Sequence, residues 1–248
     1  MIESRNAFVK IYDAQILDPA ARELYEGTGL FNFGLWSDGP SGAPRGAGEA
    51  ARRLVELHLS ADTSEEASRA SVVLDVGCGL GATTEMIARH YAPACVVGLN
   101  LSPVQAAYAA AKTSAALFAV MDGARLAVAS GTADRVHCVE AAFHFNTREA
   151  FLAEAFRVLR PGGKVVLTDV RYRRGYREII PEANVFSDEA EYRTRCLNAG
   201  FQVDRLEDIT EKTLVPFYAF MESRGHGDVT ARLKRAQDTY HFAVLRKE

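Results

Sequence analysis

The stretch Val73-Leu74-Asp75-Val76-Gly77-Cys78-Gly79-Leu80-Gly81-Ala82-Thr83-Thr84 decides how this chain folds. An apolar run ends in glycines at alternate positions and passes into a segment of helical pattern. Strand, glycine turn and helix in that order bring backbone N–H groups close to a bound nucleotide. Two registers compete for this loop. Gly77, Gly79 and Ala82 fit G-x-G-x-x-G/A, the turn that holds a dinucleotide pyrophosphate. Asp75, Gly77, Gly79 and Gly81 fit D-x-G-x-G-x-G, with an acid two residues ahead of the first glycine.

Outward from this loop, strand and helix patterns alternate. SVVLDV is followed by a helix over 82–91, ACVVGL by a helix over about 102–113, and ALFAV by RVHCVE. A helix over 147–159 then leads into KVVLTD. Short apolar strands alternating with helices predict a mostly parallel sheet covered on both faces, doubly wound. Ser102-Pro103-Val104-Gln105 reads as a capping box with proline at the first helical position. Asn146 with Glu149 gives a similar start, and Arg160-Pro161-Gly162-Gly163 stops that helix. Upstream, residues 14–59 read as helices broken by the Gly/Pro/Ser stretch 38–48. Residues 61–69 read as a polar connector. After Asp169 come a basic loop, a helix from about Ser187, FQVDRLEDIT, a long insertion and YHFAVLRK. Two closing strands around an insertion predict an antiparallel strand at the sheet edge, not a second βαβαβ half. The expectation is one domain: a helical cap over 1–70, a ligand-binding core over 71–169, and a lid with closing strands over 170–248.

The formal net charge of −3 argues against broad nucleic-acid binding, which shows a basic excess. No apolar run approaches the roughly 20 residues of a membrane span. The opening MIESRNAFVKIYDAQ lacks the basic and apolar regions of a signal peptide. Cys78, Cys95, Cys138 and Cys196 are scattered without metal-ligand spacing, which fits reduced thiols and a cytoplasmic location. No acidic cluster suggests a catalytic metal. The oligomeric state is not legible.

Charge separates the two registers. A carboxylate beside a pyrophosphate is unfavourable, whereas an acid beside a sulfonium and an ammonium is favourable. Asp75 therefore favours S-adenosylmethionine over a nicotinamide dinucleotide. Residues 71–169 resemble the core of class I S-adenosylmethionine-dependent methyltransferases, in particular the small-molecule group acting on natural products, sterols and tocopherols. The resemblance rests on "VLDVGCGLGATT", "VVGLNLSPVQ", "AVMDGARL" and "VEAAFHFNTREAFLAEAFRVLRPGGKVVLTDV". "FNFGLWSDG" is similar to that group's aromatic segment over the cofactor. The insertion after residue 210 matches nothing recognisable.

The resemblance implies a seven-stranded sheet and a set of cofactor residues. Asp75, Gly77, Cys78 and Gly79 would line the methionine end, with Glu140 bordering it and Phe33 folding over. Asn100, ending the second strand, stands where the family usually has an acid for the ribose hydroxyls, and Leu101 beside it is a further cofactor-binding candidate. Gln105 lies one turn further on, and Asp122 with Gly123 would meet the adenine.

Methyl transfer from a sulfonium is an in-line displacement with an activated leaving group, so alignment and exclusion of water dominate. A hydroxyl acceptor also needs its proton removed, most simply by histidine. His144, beyond the fourth strand, and Asp169, ending the fifth, are the candidate base and its orienting partner. The loop over 171–177, with four arginines, is a candidate clamp for an acidic acceptor, and Phe217, Tyr218, Phe220 and Met221 a lid over an apolar one. The leading expectation is O-methylation of a small specialised metabolite. N- or C-methylation, a cofactor-holding protein without transfer, and an oxidoreductase remain as alternatives.

Overall fold

A computed structural model describes residues 2–37, 42–92, 94–175 and 179–248. Helices α1 (Ile2–Ile16), α2 (Pro19–Leu24) and α3 (Ala47–Leu59) precede the first strand. Asp18 starts α2 by accepting the N–H groups of Ala20 and Ala21. The buried stripe of α3, from Ala47 through Ala51, Leu54 and Val55, packs on the sheet. The polar connector expected over 61–69 instead contains helix α4 (Ser64–Arg69). Its capping box, Thr63 with Glu66, satisfies two orphan N–H groups and nucleates a helix in a segment with little apolar pattern.

The core then runs β1 (Val72–Val76), α5 (Ala82–His90), β2 (Cys95–Asn100), α6 (Pro103–Lys112), β3 (Leu117–Val120), β4 (Ala133–Val139), α7 (Arg148–Val158) and β5 (Leu159–Tyr172). Helix α8 (Glu189–Asn198), β6 (Gln202–Asp208), α9 (Leu214–Ser223), α10 (Gly227–Ala236) and β7 (Gln237–Arg246) close the chain. Ser102 caps α6 as its sequence predicts, accepting the Gln105 N–H at 3.1 Å. The cap of α7 is Thr147 rather than Asn146, with the Ala150 N–H at 3.2 Å from its hydroxyl. Strand β5 begins directly at Leu159 and takes in the Arg160–Gly163 turn.

Among the described residues the strands form one seven-stranded sheet in the order β3-β2-β1-β4-β5-β7-β6. Strands β1 to β5 pair in parallel. Strand β7 is antiparallel to both neighbours, with Asp169 opposite His241 on one side and Asp208 opposite His241 on the other. The closing antiparallel pair is as expected, with the C-terminal strand one place in from the edge. Strand order reverses between β1 and β4, so a crevice opens at the carboxyl ends of these strands. One face of the sheet packs on α7 and α8 through Phe151, Leu152, Tyr192 and Cys196. The other packs on α3 and α9 through Leu54, Val55, Phe217 and Met221.

Candidate functional site

At the end of β1 the chain folds back onto β2, and the N–H groups of Gly77 and Cys78 both donate to the Leu99 carbonyl, at 2.8 and 3.1 Å. Gly77 sits at φ +86°, and a Cβ there would fall 2.3 Å from the Ala141 Cβ. Backbone of the β1 turn and of the β4 end thus approach as closely as only glycine permits. Asp75 lies behind this turn, 1% exposed, with its carboxylate accepting the Thr84 hydroxyl at 2.6 Å. Burial pushes its carboxyl up to about 7, against the pull of the Thr84 hydrogen bond.

In front of the turn is a cavity of about 330 Å³. It brings together Gly77, Cys78, Gly79, Asn100, Leu101, Gln105, Asp122, Gly123, Glu140 and His144. Two expected cofactor residues are elsewhere. Asp75 faces Thr84 within the core, and Phe33 points its ring into a neighbouring cavity instead. At the end of β2 the cavity wall carries amides. Asn100 accepts the Ser102 N–H at 2.8 Å and donates to Gln105 Oε1 at 3.1 Å, and Gln105 donates in turn to Asp13 at 2.7 Å. Asp122 Oδ1 accepts the Ala124 N–H at 3.0 Å.

Glu140 is the acid at the far end. Its φ of +52° is left-handed, a conformation that side chains adopt only when their surroundings hold them there. Here Oε1 accepts the Phe33 N–H at 2.7 Å and the Tyr240 hydroxyl. Burial raises its carboxyl to about 8, while those two hydrogen bonds act the other way. The donor set fits S-adenosylmethionine: a carboxylate for the cationic end, amides for the ribose hydroxyls, and an acid with a neighbouring N–H for the adenine edge.

A second cavity, of about 730 Å³, adjoins the first and shares Tyr12, Ile16, Phe31, Asn32, Glu140 and His144 with it. The rest of its wall is largely aromatic and aliphatic, including Phe33, Phe143 and Phe217. His144 stands at the junction in a 3-10 turn over Ala142–His144. Its Nδ1 is 2.8 Å from the Ile179 carbonyl, which can only accept, so Nδ1 carries the proton and Nε2 is left as an acceptor. Burial lowers the imidazole to about 4, so the ring is neutral near pH 7.

The expected His144–Asp169 pair is not formed. Asp169 is fully buried and takes Arg148 Nε at 2.5 Å, Arg148 Nη2 at 3.1 Å and the Tyr192 hydroxyl at 3.0 Å. Strand alternation is the reason. Thr168 meets His58 of α3, so its neighbour Asp169 faces α7 and α8 on the opposite side of the sheet.

Sequence reasoning missed helix α1 as part of the site. Phe8, Val9, Tyr12 and Ile16 line the first cavity, and the rings of Phe8 and Tyr12 lie 5.2 and 5.1 Å from that of His144. The spacing Phe8, Tyr12, Ile16 is the signal that marks this face. Tyr240, which fixes Glu140, carries no local signal. In the basic loop, Arg171 and Arg173 both pair with Asp238, Arg174 lines the second cavity, and Tyr176 and Arg177 lie outside the described residues, as do residues 38–41 of the glycine-rich stretch. Among the described residues no group of three or more His, Cys, Asp or Glu is placed to hold a metal ion. No described helix is long and apolar enough to cross a membrane.

A methyltransferase domain model matches residues 74–167. The chain is 38% identical over 106 residues to a 2-methyl-6-phytyl-1,4-hydroquinone methyltransferase of Synechocystis, a match covering 42% of the chain and 33% of that relative. The chain thus spans about a third of that relative's length. Among solved structures, the cyclase SpnF superposes with a TM-score of 0.75 at 20% identity, over 98% of this chain and 96% of that one. A geranyl diphosphate C-methyltransferase from Streptomyces coelicolor, in complex with Mg2+, geranyl diphosphate and S-adenosyl-L-homocysteine, superposes at 0.76 and 14% identity, over 99% and 98%. These two likenesses show the fold.

Proposed function

We propose, for a chain whose core is a class I S-adenosylmethionine-dependent methyltransferase domain, that it methylates an oxygen of a small specialised metabolite held in the second cavity. The observation that carries this reading is the junction of the two cavities at His144, with its Nε2 left as an acceptor.

The cofactor supplies an electrophilic methyl group on a sulfonium. The chain's own residues do the rest. Glu140 stabilises the cationic end, Asn100 and Gln105 meet the ribose, and Asp122 with the Gly123 N–H meets the adenine. Tyr12 and Phe31, in both cavity walls, exclude water and press the acceptor toward the cofactor. His144 takes the acceptor's hydroxyl proton at Nε2, while Ile179 holds the tautomer through Nδ1. Asp169 acts through the fold, because its ion pair fixes α7 against β5.

Incubation with S-adenosylmethionine and matched panels of phenols, alcohols and amines, read by S-adenosylhomocysteine formation and product mass, tests the proposal. Methyl ethers support it; methylation of amines or carbon alone contradicts oxygen as the acceptor atom. A second reading, a chain that keeps the cofactor without transferring its methyl group, draws on the likeness to a cyclase. It predicts tight S-adenosylhomocysteine binding with no turnover of any acceptor.

A further inference from the structure

The second cavity is apolar through most of its wall, yet three arginines line it. Arg174 follows β5, while Arg232 and Arg235 lie one turn apart on α10. All three line the second cavity and not the first, so they stand on the side away from the cofactor. Other cations nearby are neutralised: Arg171 and Arg173 by Asp238, and Lys234 by Glu222 at 2.7 Å. Arg174, Arg232 and Arg235 form no ion pair among the described residues. Among the described residues the one acid in the cavity wall is Glu140, at the opposite, cofactor-facing end.

Lone arginines on a surface are ordinarily solvated. Three from two separate elements, at the rim of one apolar cavity, create a positive field that no ion pair among the described residues answers. A guanidinium fork also matches carboxylate and phosphate geometry. We infer that the acceptor is an elongated amphiphile: an apolar body in the aromatic cavity, and an anionic head, carboxylate or phosphate, held by Arg174, Arg232 and Arg235. The methyl-accepting group lies at the other end, against His144 and Glu140. This rests on reading the second cavity as the acceptor site. It makes the arginines specificity-determining, because they fix which end of the molecule reaches the cofactor.

Calorimetry on the chain saturated with S-adenosylhomocysteine tests the inference with three probes: decyl phosphate, decanol and inorganic phosphate. Decyl phosphate should bind about ten- to a hundred-fold more tightly than decanol, the worth of one or two charge-assisted hydrogen bonds. The preference should narrow at about 0.5 M NaCl, because the arginines are exposed and screened. The double variant Arg232→Gln/Arg235→Gln should bind decyl phosphate no better than decanol, with decanol affinity unchanged. A wild-type chain without that preference, or a double variant that keeps it, overturns the inference. So does inorganic phosphate binding as tightly as decyl phosphate, which would mark a free-anion site. Titration of S-adenosylhomocysteine into the same proteins keeps the two readings apart. Its failure to bind contradicts the proposed function, while intact binding without an anion preference contradicts the amphiphile alone.

Discussion

His144 donates its Nδ1–H to the Ile179 carbonyl at 2.8 Å, and this bond leaves Nε2 as the ring's acceptor where the two cavities meet. Replacing His144 with alanine should therefore lower turnover by about 10²–10⁴, the usual worth of general-base assistance. Affinity for S-adenosylhomocysteine should stay nearly unchanged. Because burial lowers the imidazole to about 4, the wild-type base remains competent from pH 8 down to pH 5.5 and is lost only as pH approaches that value. The variant's deficit should shrink at alkaline pH with a phenolic acceptor, which ionises unaided. A variant that keeps most of its activity from pH 6 to 9 would make His144 a packing residue.

Glu140, with a carboxyl raised to about 8, is mostly protonated at pH 7 before a cation arrives. A sulfonium and an ammonium nearby favour the carboxylate, so cofactor binding should expel a proton. S-adenosylmethionine affinity should thus rise between pH 6 and 8. Titrations in two buffers of different ionisation enthalpy should give different heats. In Glu140→Gln the affinity should fall about ten-fold or more and the buffer dependence disappear. Equal heats in both buffers for the native chain would show that Glu140 does not meet the cationic end.

Asp75 offers a contrasting case, because it lies behind the glycine turn with Thr84. Its folded carboxyl is raised to about 7, whereas an unfolded aspartate titrates near 4. Stability held below pH 4 is therefore lost progressively as pH rises toward 7, and the loss is constant above. Asp75→Asn removes this effect. Its stability gain over the native chain, measured by urea unfolding, should grow from pH 4 to 7 and then level off. The variant should bind S-adenosylhomocysteine better than Glu140→Gln does. A variant destabilised at every pH would contradict the assignment.

Much of the core is legible in the sequence because strands covered on both faces read as largely apolar runs, as in Val72–Val76, broken by Asp75 alone, and residues 95–99. The glycine turn and the caps at Ser102 and Asp18 act within a few residues, so local pattern suffices to place or explain them. Partners set by tertiary register were not legible. Arg148 is 21 residues from Asp169, and only the side of the sheet that Asp169 faces brings them together. Tyr240 reaches Glu140 across 100 residues, through the insertion of β7 beside β5. Helix α1 escaped because Lys10, Asp13 and Gln15 stand among Phe8, Tyr12 and Ile16 in the sequence and dilute the apolar pattern.

The buried pair Arg148–Asp169 predicts an asymmetry between single and double variants. Arg148→Met leaves an uncompensated carboxylate, and the loss should be about 3–5 kcal/mol in chemical denaturation. Arg148→Met with Asp169→Leu should recover much of that loss, since no buried charge remains. The double variant should keep the native pH profile of activity, because Asp169 lies outside both cavities. A profile shifted in pH would restore Asp169 as the partner of His144.

The most direct test of the whole account is calorimetric titration of the purified chain with S-adenosylhomocysteine and, separately, with NADH. The cavity at the β1 turn should bind S-adenosylhomocysteine one-to-one, and Gly77→Ala should abolish this by driving a Cβ into Ala141. NADH should give no heat, because the described wall of this cavity carries Asp122 and Glu140 and no Lys or Arg to meet a pyrophosphate. Binding of NADH without S-adenosylhomocysteine would contradict the account at its centre.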